Sequence, residues 1–520
     1  MYAKRLTFLI LAFVTLTVFA YSAGGSEDIA VIVKAASVEE AVQIVRANSG
    51  TVLQTFEIIN GVAANLPANR INAVEQDGGR VYPDKMAKAA GAPKAYFPGV
   101  VRAHVAWAQG IMGQGVTVAV VDSGINYSGS NPQVIARYDA VDNNPSTVDE
   151  FGHGSFMASI IANRAKDMSN RYIGIAPKAS LVDVRVLDEE GKGTTTDVLE
   201  GLNWILANHA QYNIRVVNLS LVSEVLGPYW DDPLSQAAEA LWDAGLVVVV
   251  SAGNAGPVPV SIAVPGNNPF VITVGSFTDN FTPFNESDDF IAPFSGAGPS
   301  EWGFVKPDVV APGAHIIGEM KRNTTWASEN GVAHIKSNYY SGAGTSTSAA
   351  IVSGVAALIL QDNPALTNNQ VKYAIMDSAR PAIDPDGSLT WSVFQQGAGR
   401  VDAGEAITGD HFGEANVNMT PGQPYYGPAV YDDVNDQFIL IDPTTGMPIG
   451  DGYTWTGGYT WSGGYTWAGG YTWAGGYTWA GGYTWAGGDT WTGDYTWSGG
   501  YTWAGGYTWG GLEPDIAPLD

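Results

Sequence analysis

Hydrophobic and polar positions change period several times along the chain, and each change marks an element. Residues 29–33 are apolar and β-branched, which predicts a strand. Ser37-Val38-Glu39-Glu40 follows as a capping box, in which the Ser oxygen takes an N–H and Glu40 reaches back. Val38, Ala41, Val42 and Val45 then recur at helical spacing until Asn48-Ser49-Gly50 stops the helix. Residues 51–59 and 61–66 read as strands around an Asn60-Gly61 turn. A short helix over 69–75 and a last strand over 80–82 complete a β-α-β-β-α-β order, that of a ferredoxin-like α+β module.

From residue 115 onward the pattern is different. Near-continuous apolar runs at 115–121, 181–187, 215–219, 245–250 and 271–274 alternate with helical patterns such as 195–209. Strands that lack polar alternation are buried on both faces, so this region is α/β, a parallel sheet with helices on both faces. In such sheets ligands bind at the carboxyl ends of the strands. The first run ends in Asp122-Ser123-Gly124, and Gly152-His153-Gly154-Ser155 opens a helix. A later run ends in Ser251-Ala252-Gly253-Asn254, and Gly342-Ala343-Gly344-Thr345-Ser346 leads into an Ala-rich helix over 347–360.

Chemistry gives these residues complementary roles. A serine hydroxyl is a poor nucleophile until a base takes its proton, and an imidazole such as His153 titrates near working pH. Asp122 would fix the histidine tautomer and stabilise the imidazolium. The Asn254 side chain and the backbone N–H of Ser346, at a helix N-terminus, would hold the oxyanion of a tetrahedral intermediate. Singly these signals are weak, since an Asp-Ser-Gly is most often a turn. The chain order Asp, His, Ser is one of the known triad orders.

Composition narrows the classes. The 520 residues hold 25 Lys+Arg against 51 Asp+Glu, a net charge of −26, which excludes a nucleic-acid footprint. The absence of Cys excludes disulfides and thiolate sites. From Val401 to Asp520 there are 14 acids and no Lys or Arg, a solvating tail or a cation-binding surface. Lys4 and Arg5 precede a 15-residue apolar stretch ending at Ala20, a secretory signal over 1–20 that implies an extracellular protein. Residues 453–511 repeat Tyr-Thr-Trp-x-Gly-Gly ten times and hold ten of the 17 Trp. Tyr and Trp two apart share a strand face, and Gly-Gly supplies turns, so short stacked strands are feasible. A flexible Gly-aromatic segment, adhesion to sugars or cell surfaces, and self-association all fit that composition.

Taken together, Asp122-Ser123-Gly124, Gly152-His153-Gly154-Ser155, Asn218-Leu219-Ser220-Leu221, Ser251-Ala252-Gly253-Asn254, Lys306-Pro307-Asp308 and Gly344-Thr345-Ser346 resemble the subtilisin-like serine proteases. The resemblance covers 103–406 and implies a subtilisin-like fold. It further implies peptide-bond hydrolysis by Asp122, His153 and Ser346, with Asn254 in the oxyanion hole. Ser220, Leu221 and Val222 would form one wall of the substrate pocket and Ala252 and Gly253 the facing wall. The implied organisation is a signal at 1–20, an inhibitory propeptide at 21–90, the catalytic domain at 91–407, a linker at 408–452, repeats at 453–511 and an acidic C-terminus at 512–520. Self-cleavage between residues 82 and 101 would release the propeptide. Polypeptide substrates and the chain's own propeptide are the implied partners, and a monomer is expected. No cofactor is implied for catalysis, although structural calcium is a habit of the family and the acidic loops at 139–149 and 279–289 could take it. Val222-Ser223 stands where the family has Gly-Gly, which implies an altered primary specificity. The rival reading is a non-catalytic surface protein that uses the fold as a scaffold.

Overall fold

The computed structural model describes residues 28–84, 93–126, 133–144, 148–167, 169–328, 332–385, 389–434, 437–442 and 447, with a few two- and three-residue strand pieces between 453 and 491. The expected signal, much of the segment expected to be cleaved and most of the repeat array lie outside the described residues. The chain divides into two compact units, Met1–Ala90 and Gly91–Asp520.

The first unit follows the expected order: β1 (Asp28–Lys34), α1 (Val38–Ala47), β2 (Thr51–Phe56), β3 (Gly61–Pro67), α2 (Ile71–Gln76) and β4 (Arg80–Pro83). Its sheet runs β2-β3-β1-β4 and every pairing is antiparallel. Ser37 Oγ accepts the Glu40 N–H at 3.2 Å, and Glu40 reaches back to the Ala36 N–H at 3.1 Å. That cap starts α1, whose Val38, Ala41, Ile44 and Val45 bury against Val31, Val33, Val62, Ala64 and Leu66. The strand expected over 51–59 ends at Phe56. A 3-10 turn at Glu57–Ile59 delivers the chain to Asn60, whose left-handed φ of 48° an Asn tolerates.

The second unit opens with α3 (Phe97–Val100), α4 (Ala103–Ala108), β5 (Thr117–Asp122), β6 (Gln133–Asp139), α5 (His153–Ala162) and β7 (Ser180–Arg185). It continues with α6 (Thr195–Tyr212), β8 (Ile214–Leu219), α7 (Pro233–Asp243), β9 (Val247–Ser251), β10 (Ile272–Thr278), β11 (Phe290–Ile291) and β12 (Val309–Pro312). An excursion through β13 (Ile316–Glu319), α8 (Thr325–Ser328), β14 (Ala333–Lys336) and β15 (Tyr339–Gly342) then leads to α9 (Thr345–Asp362). After α10 (Asn368–Asp377), α11 (Val393–Gln396) and α12 (Ala403–Thr408), the hairpin of β16 (Ala429–Asp432) and β17 (Gln437–Leu440) lies in the expected linker.

The main sheet runs β11-β10-β9-β8-β5-β7-β6 with β12 beside β10, and only the β10–β11 pairing is antiparallel. β5, β9 and β10 are buried along their whole length, the pattern their apolar runs predicted. α5 and α9 pack on each other, and α6 pairs with α7. All side chains of α9 from Thr345 to Leu360 are buried, and its Ala, Gly and Ser residues let it lie close to β8, β9, β10 and β12. The sheet thereby brings the ends of β5, β8 and β9 alongside the first turns of α5 and α9.

Candidate active site

β5 ends at the fully buried Asp122, and α5 starts at His153. Glycines on both sides of His153 allow close packing there, and Gly154 permits the approach to Asp122. A Cβ on Gly154 would stand 2.2 Å from the Gly124 carbonyl oxygen. Gly152 has φ +112°, and a Cβ there would meet Thr324 Oγ1 at 2.6 Å. His153 Nδ1 consequently lies 2.8 Å from both carboxylate oxygens of Asp122. With its proton on Nδ1 donated to the carboxylate, the ring keeps Nε2 as an acceptor. Burial alone depresses the imidazole pKa. The charge and hydrogen bond of Asp122, with a further contribution from Asp149, outweigh that and hold it above the ordinary histidine value.

Asp149 was legible in the sequence only as the end of an acidic loop. In the structure it is buried and accepts from Ser123 Oγ (2.9 Å) and from the N–H groups of Gly152 (2.6 Å) and Ser155 (2.8 Å). Ser123 in turn donates its N–H to Asp122 Oδ1 at 2.7 Å and accepts the Gly154 N–H at 3.0 Å. One carboxylate thus caps the first turn of α5 and ties it to the turn after β5. Burial pushes the Asp149 carboxyl up, despite the hydrogen bonds from Ser155 and Gly152.

Ser346 is the second residue of α9, in the turn whose N–H groups have no acceptor within the helix. Its hydroxyl donates to the Ser220 carbonyl at 3.2 Å, so attack requires the O–H to swing toward His153. The Ser220 hydroxyl donates to the Ser346 carbonyl at 3.0 Å and accepts from Asn218 at 2.9 Å, and Ser353 donates to Asn218 at 2.9 Å. This buried ladder fixes the end of β8 against α9. Asn254 Oδ1 accepts both the backbone N–H (3.0 Å) and the hydroxyl (2.9 Å) of Thr345. An amide held by its oxygen keeps its N–H donors on the opposite side of the group.

His153, Asn254 and Ser346 line one cleft of about 510 Å³. Of the expected substrate residues, Ser220, Leu221 and Val222 line it as well, and Val222 is 48% exposed. Ala252 and Gly253 do not. Ala252 is fully buried, donating to the Val274 carbonyl and accepting from Ala263, and the Gly253 N–H is taken by Thr345 Oγ1. Ser251, Asn254 and Ala255 face the cleft instead. The remaining walls are Phe151, Leu187, Gly191 to Gly193, Thr195, Val198 and Leu234, which the motifs did not single out. Leu187 and Gly191 to Gly193 follow the carboxyl end of β7, where the strand-end rule could have found them. Leu234 carries no local signal.

Several carboxylates of the two acidic loops are already paired within the protein. Arg185 Nη1 lies 3.0 Å from Asp139 Oδ1 and 2.7 Å from Asp142 Oδ2. His315 Nε2 lies 2.5 Å from Asp279 Oδ1, Arg400 lies 2.8 Å from Asp289, and Glu286 pairs with Arg380 and Arg400. These carboxylates face arginine or histidine side chains of the protein, whereas calcium asks for several uncommitted oxygens on one point. Among the described residues no helix is long and apolar enough to cross a membrane.

Known proteins resemble this chain in sequence. The model of the Subtilase family matches residues 113–410. Serine protease AprX of Bacillus subtilis is 38% identical over 311 residues, 58% of this chain and 68% of that protein. M-protease of Shouchella clausii is 30% identical over 358 residues, 68% of this chain and 80% of that protein. Subtilisin E of Bacillus subtilis is 30% identical over 344 residues, 65% of this chain and 80% of that protein. A crystal structure of MycP1 with its N-terminal propeptide removed aligns with a TM-score of 0.47 at 27% identity, covering 61% of this chain and 99% of that one.

Proposed function

The chain belongs to the subtilase family and is a subtilisin-like serine endopeptidase, and we propose that it works through Asp122, His153 and Ser346 with Asn254 in the oxyanion hole. The observation that carries this is His153 Nδ1 at 2.8 Å from Asp122, on a ring that shares its cleft with Ser346 and Asn254. Ser346 attacks the scissile carbonyl while Nε2 takes its proton. The oxyanion lies between the Asn254 amide and the Ser346 N–H, and the imidazolium returns the proton to the leaving amine. Leu187, Val198, Leu221 and Leu234 would receive apolar side chains of an extended polypeptide. A fluorophosphonate probe should label Ser346, as read by peptide mapping. Label on any other residue, or label retained in Ser346→Ala, would overturn the assignment.

Asn254→Ala is expected to lower kcat by about 10²- to 10³-fold, the size found when subtilisin loses its own oxyanion amide, with little change in KM. Steady-state kinetics on a chromogenic peptide checks this, and a change confined to KM would place Asn254 in ground-state binding.

The first unit acts as an inhibitory propeptide removed by the enzyme itself, the signal directs secretion, and the Trp repeats attach the protease to a sugar-bearing surface. Amphipathic rings suit one-sided contact of this kind. Removing residues 453–511 is expected to abolish retention on insoluble polysaccharide or cell walls and to leave hydrolysis of a soluble peptide intact. Equal retention of the truncated and full chains would exclude the attachment role.

A further inference from the structure

The excursion between β13 and β15 carries a single helical turn, α8, that no sequence motif singled out. Such a short turn between two strands would ordinarily present its side chains to water. Here Trp326 is only 3% exposed. The reason is that α8 is stitched to the residues just before His153. The Thr325 N–H donates to the Glu150 carbonyl and the Trp326 N–H to the Phe151 carbonyl, each at 3.0 Å.

The indole is thereby laid against the imidazole. Its ring centroid is 5.2 Å from that of His153, with the planes inclined at 58°. Phe151 stacks on it at 6.2 Å, and Phe156 meets it edge-on at 5.3 Å. The imidazole is bounded by the Asp122 carboxylate at Nδ1, by the indole beside its ring, and by the cleft. Trp326 is not among the residues lining that cleft. It reaches the chemistry through its contact with the His153 ring and through Phe151, which lines the cleft and also lies against that ring.

We infer that Trp326 is a positioning residue for the general base, holding the His153 ring in register with Asp122 and keeping water off the Nδ1–H bond between them. This rests on the serine-protease reading of the site. Turning the imidazole about its Cβ–Cγ bond would exchange Nδ1 for a carbon and forfeit the hydrogen bond to Asp122. The wedge of Trp326 between Phe151 and Phe156 resists that rotation, because buried aromatic packing leaves no void for the ring to sweep through. A base misplaced by a fraction of an ångström loses rate, whereas substrate binding is untouched.

The test uses the full chain carrying Trp326→Ala or Trp326→Phe, with Ser346→Ala as the zero of activity. Trp326→Ala is expected to lower kcat by about 10- to 100-fold with KM within about two-fold of wild type. Trp326→Phe, which keeps an aromatic face, is expected to recover most of the loss. A second readout does not need turnover. The strongly deshielded proton of His153 Nδ1–H should be visible by NMR in wild type and Trp326→Phe, and lost to solvent exchange in Trp326→Ala. A Trp326→Ala enzyme with wild-type kcat and an undiminished Nδ1–H resonance would overturn the inference, as would a rise in KM at constant kcat. Should Trp326→Ala fail to fold, Trp326→Leu at equal foldedness decides: a kcat below that of Trp326→Phe supports the role and equality overturns it. Wild type that hydrolyses nothing would refute the protease reading on which the role rests, whereas an active wild type with an unchanged Trp326→Ala would refute the positioning role alone.

Discussion

Ser346→Ala is expected to lower kcat for peptide hydrolysis by about six orders of magnitude, the size found when subtilisin loses its nucleophile. The alcohol supplies the one atom that forms a bond to the scissile carbonyl, and no neighbouring group replaces it. Ser220 is close, but its hydroxyl is spent on the Ser346 carbonyl and on Asn218. A residual rate of about 10³- to 10⁴-fold over water should survive, because Asn254 and the cleft still bind the transition state. The fold should survive too. Ser346 loses one hydrogen bond, to Ser220, a net cost of about 1 kcal/mol, and Ala is the better helix former in the first turn of α9. The same variant tests self-processing. If the first unit is removed by the chain's own active site, Ser346→Ala should accumulate as a single polypeptide that retains residues before 82–101. Mass and N-terminal sequence report this directly. A processed variant would assign the cut to another protease.

How much of this could be read in advance depended on where the determinants lie. β5, β8, β9 and β10 were legible to within a few residues because strands buried on both faces must be apolar throughout. β6 was not, because it forms the sheet's edge and Ile135 is 38% exposed, so no continuous apolar run marks it. Asp122, His153, Asn254 and Ser346 announced themselves through small neighbours, as in Gly152-His153-Gly154, where close backbone approach forbids a side chain. Asp149 and Trp326 are different. Asp149 reaches His153 through the turn after β5 and the first turn of α5, and Trp326 does so only once the excursion before α9 has met the loop before α5. The walls of the cleft divide in the same way. Val222 sits on the expected strand edge, whereas Ala252 and Gly253 are drawn inward by hydrogen bonds to β10 and Thr345 that no local pattern encodes.

Asp122→Asn is expected to lower kcat by about four orders of magnitude without disturbing the backbone. The neighbouring hydrogen bonds explain why so small a change costs so much. The Ser123 N–H donates to Asp122 Oδ1 at 2.7 Å. In the variant it holds the amide oxygen at that position and turns the NH2 toward His153 Nδ1. Two donors cannot face each other, so the imidazole proton moves to Nε2. The ring can then no longer accept the proton of Ser346. The pH dependence follows with a definite sign. In wild type, burial depresses the His153 pKa and the Asp122 charge and hydrogen bond more than restore it, so activity should rise through a pKa above the ordinary histidine value. In Asp122→Asn the burial remains and the compensating charge is gone, so the acid limb of the residual kcat/KM should move to lower pH. Stability changes in step. A histidine whose folded pKa exceeds its unfolded value contributes stability that is fully present below about pH 6.5 and lost as pH rises through the folded pKa. The Tm advantage of wild type over Asp122→Asn should therefore be greatest in acid and shrink toward alkaline pH, where the variant also avoids a buried, unneutralised carboxylate. Paired pH–rate and Tm profiles would falsify the assignment of Asp122 if the acid limb stays in place and the Tm difference is flat.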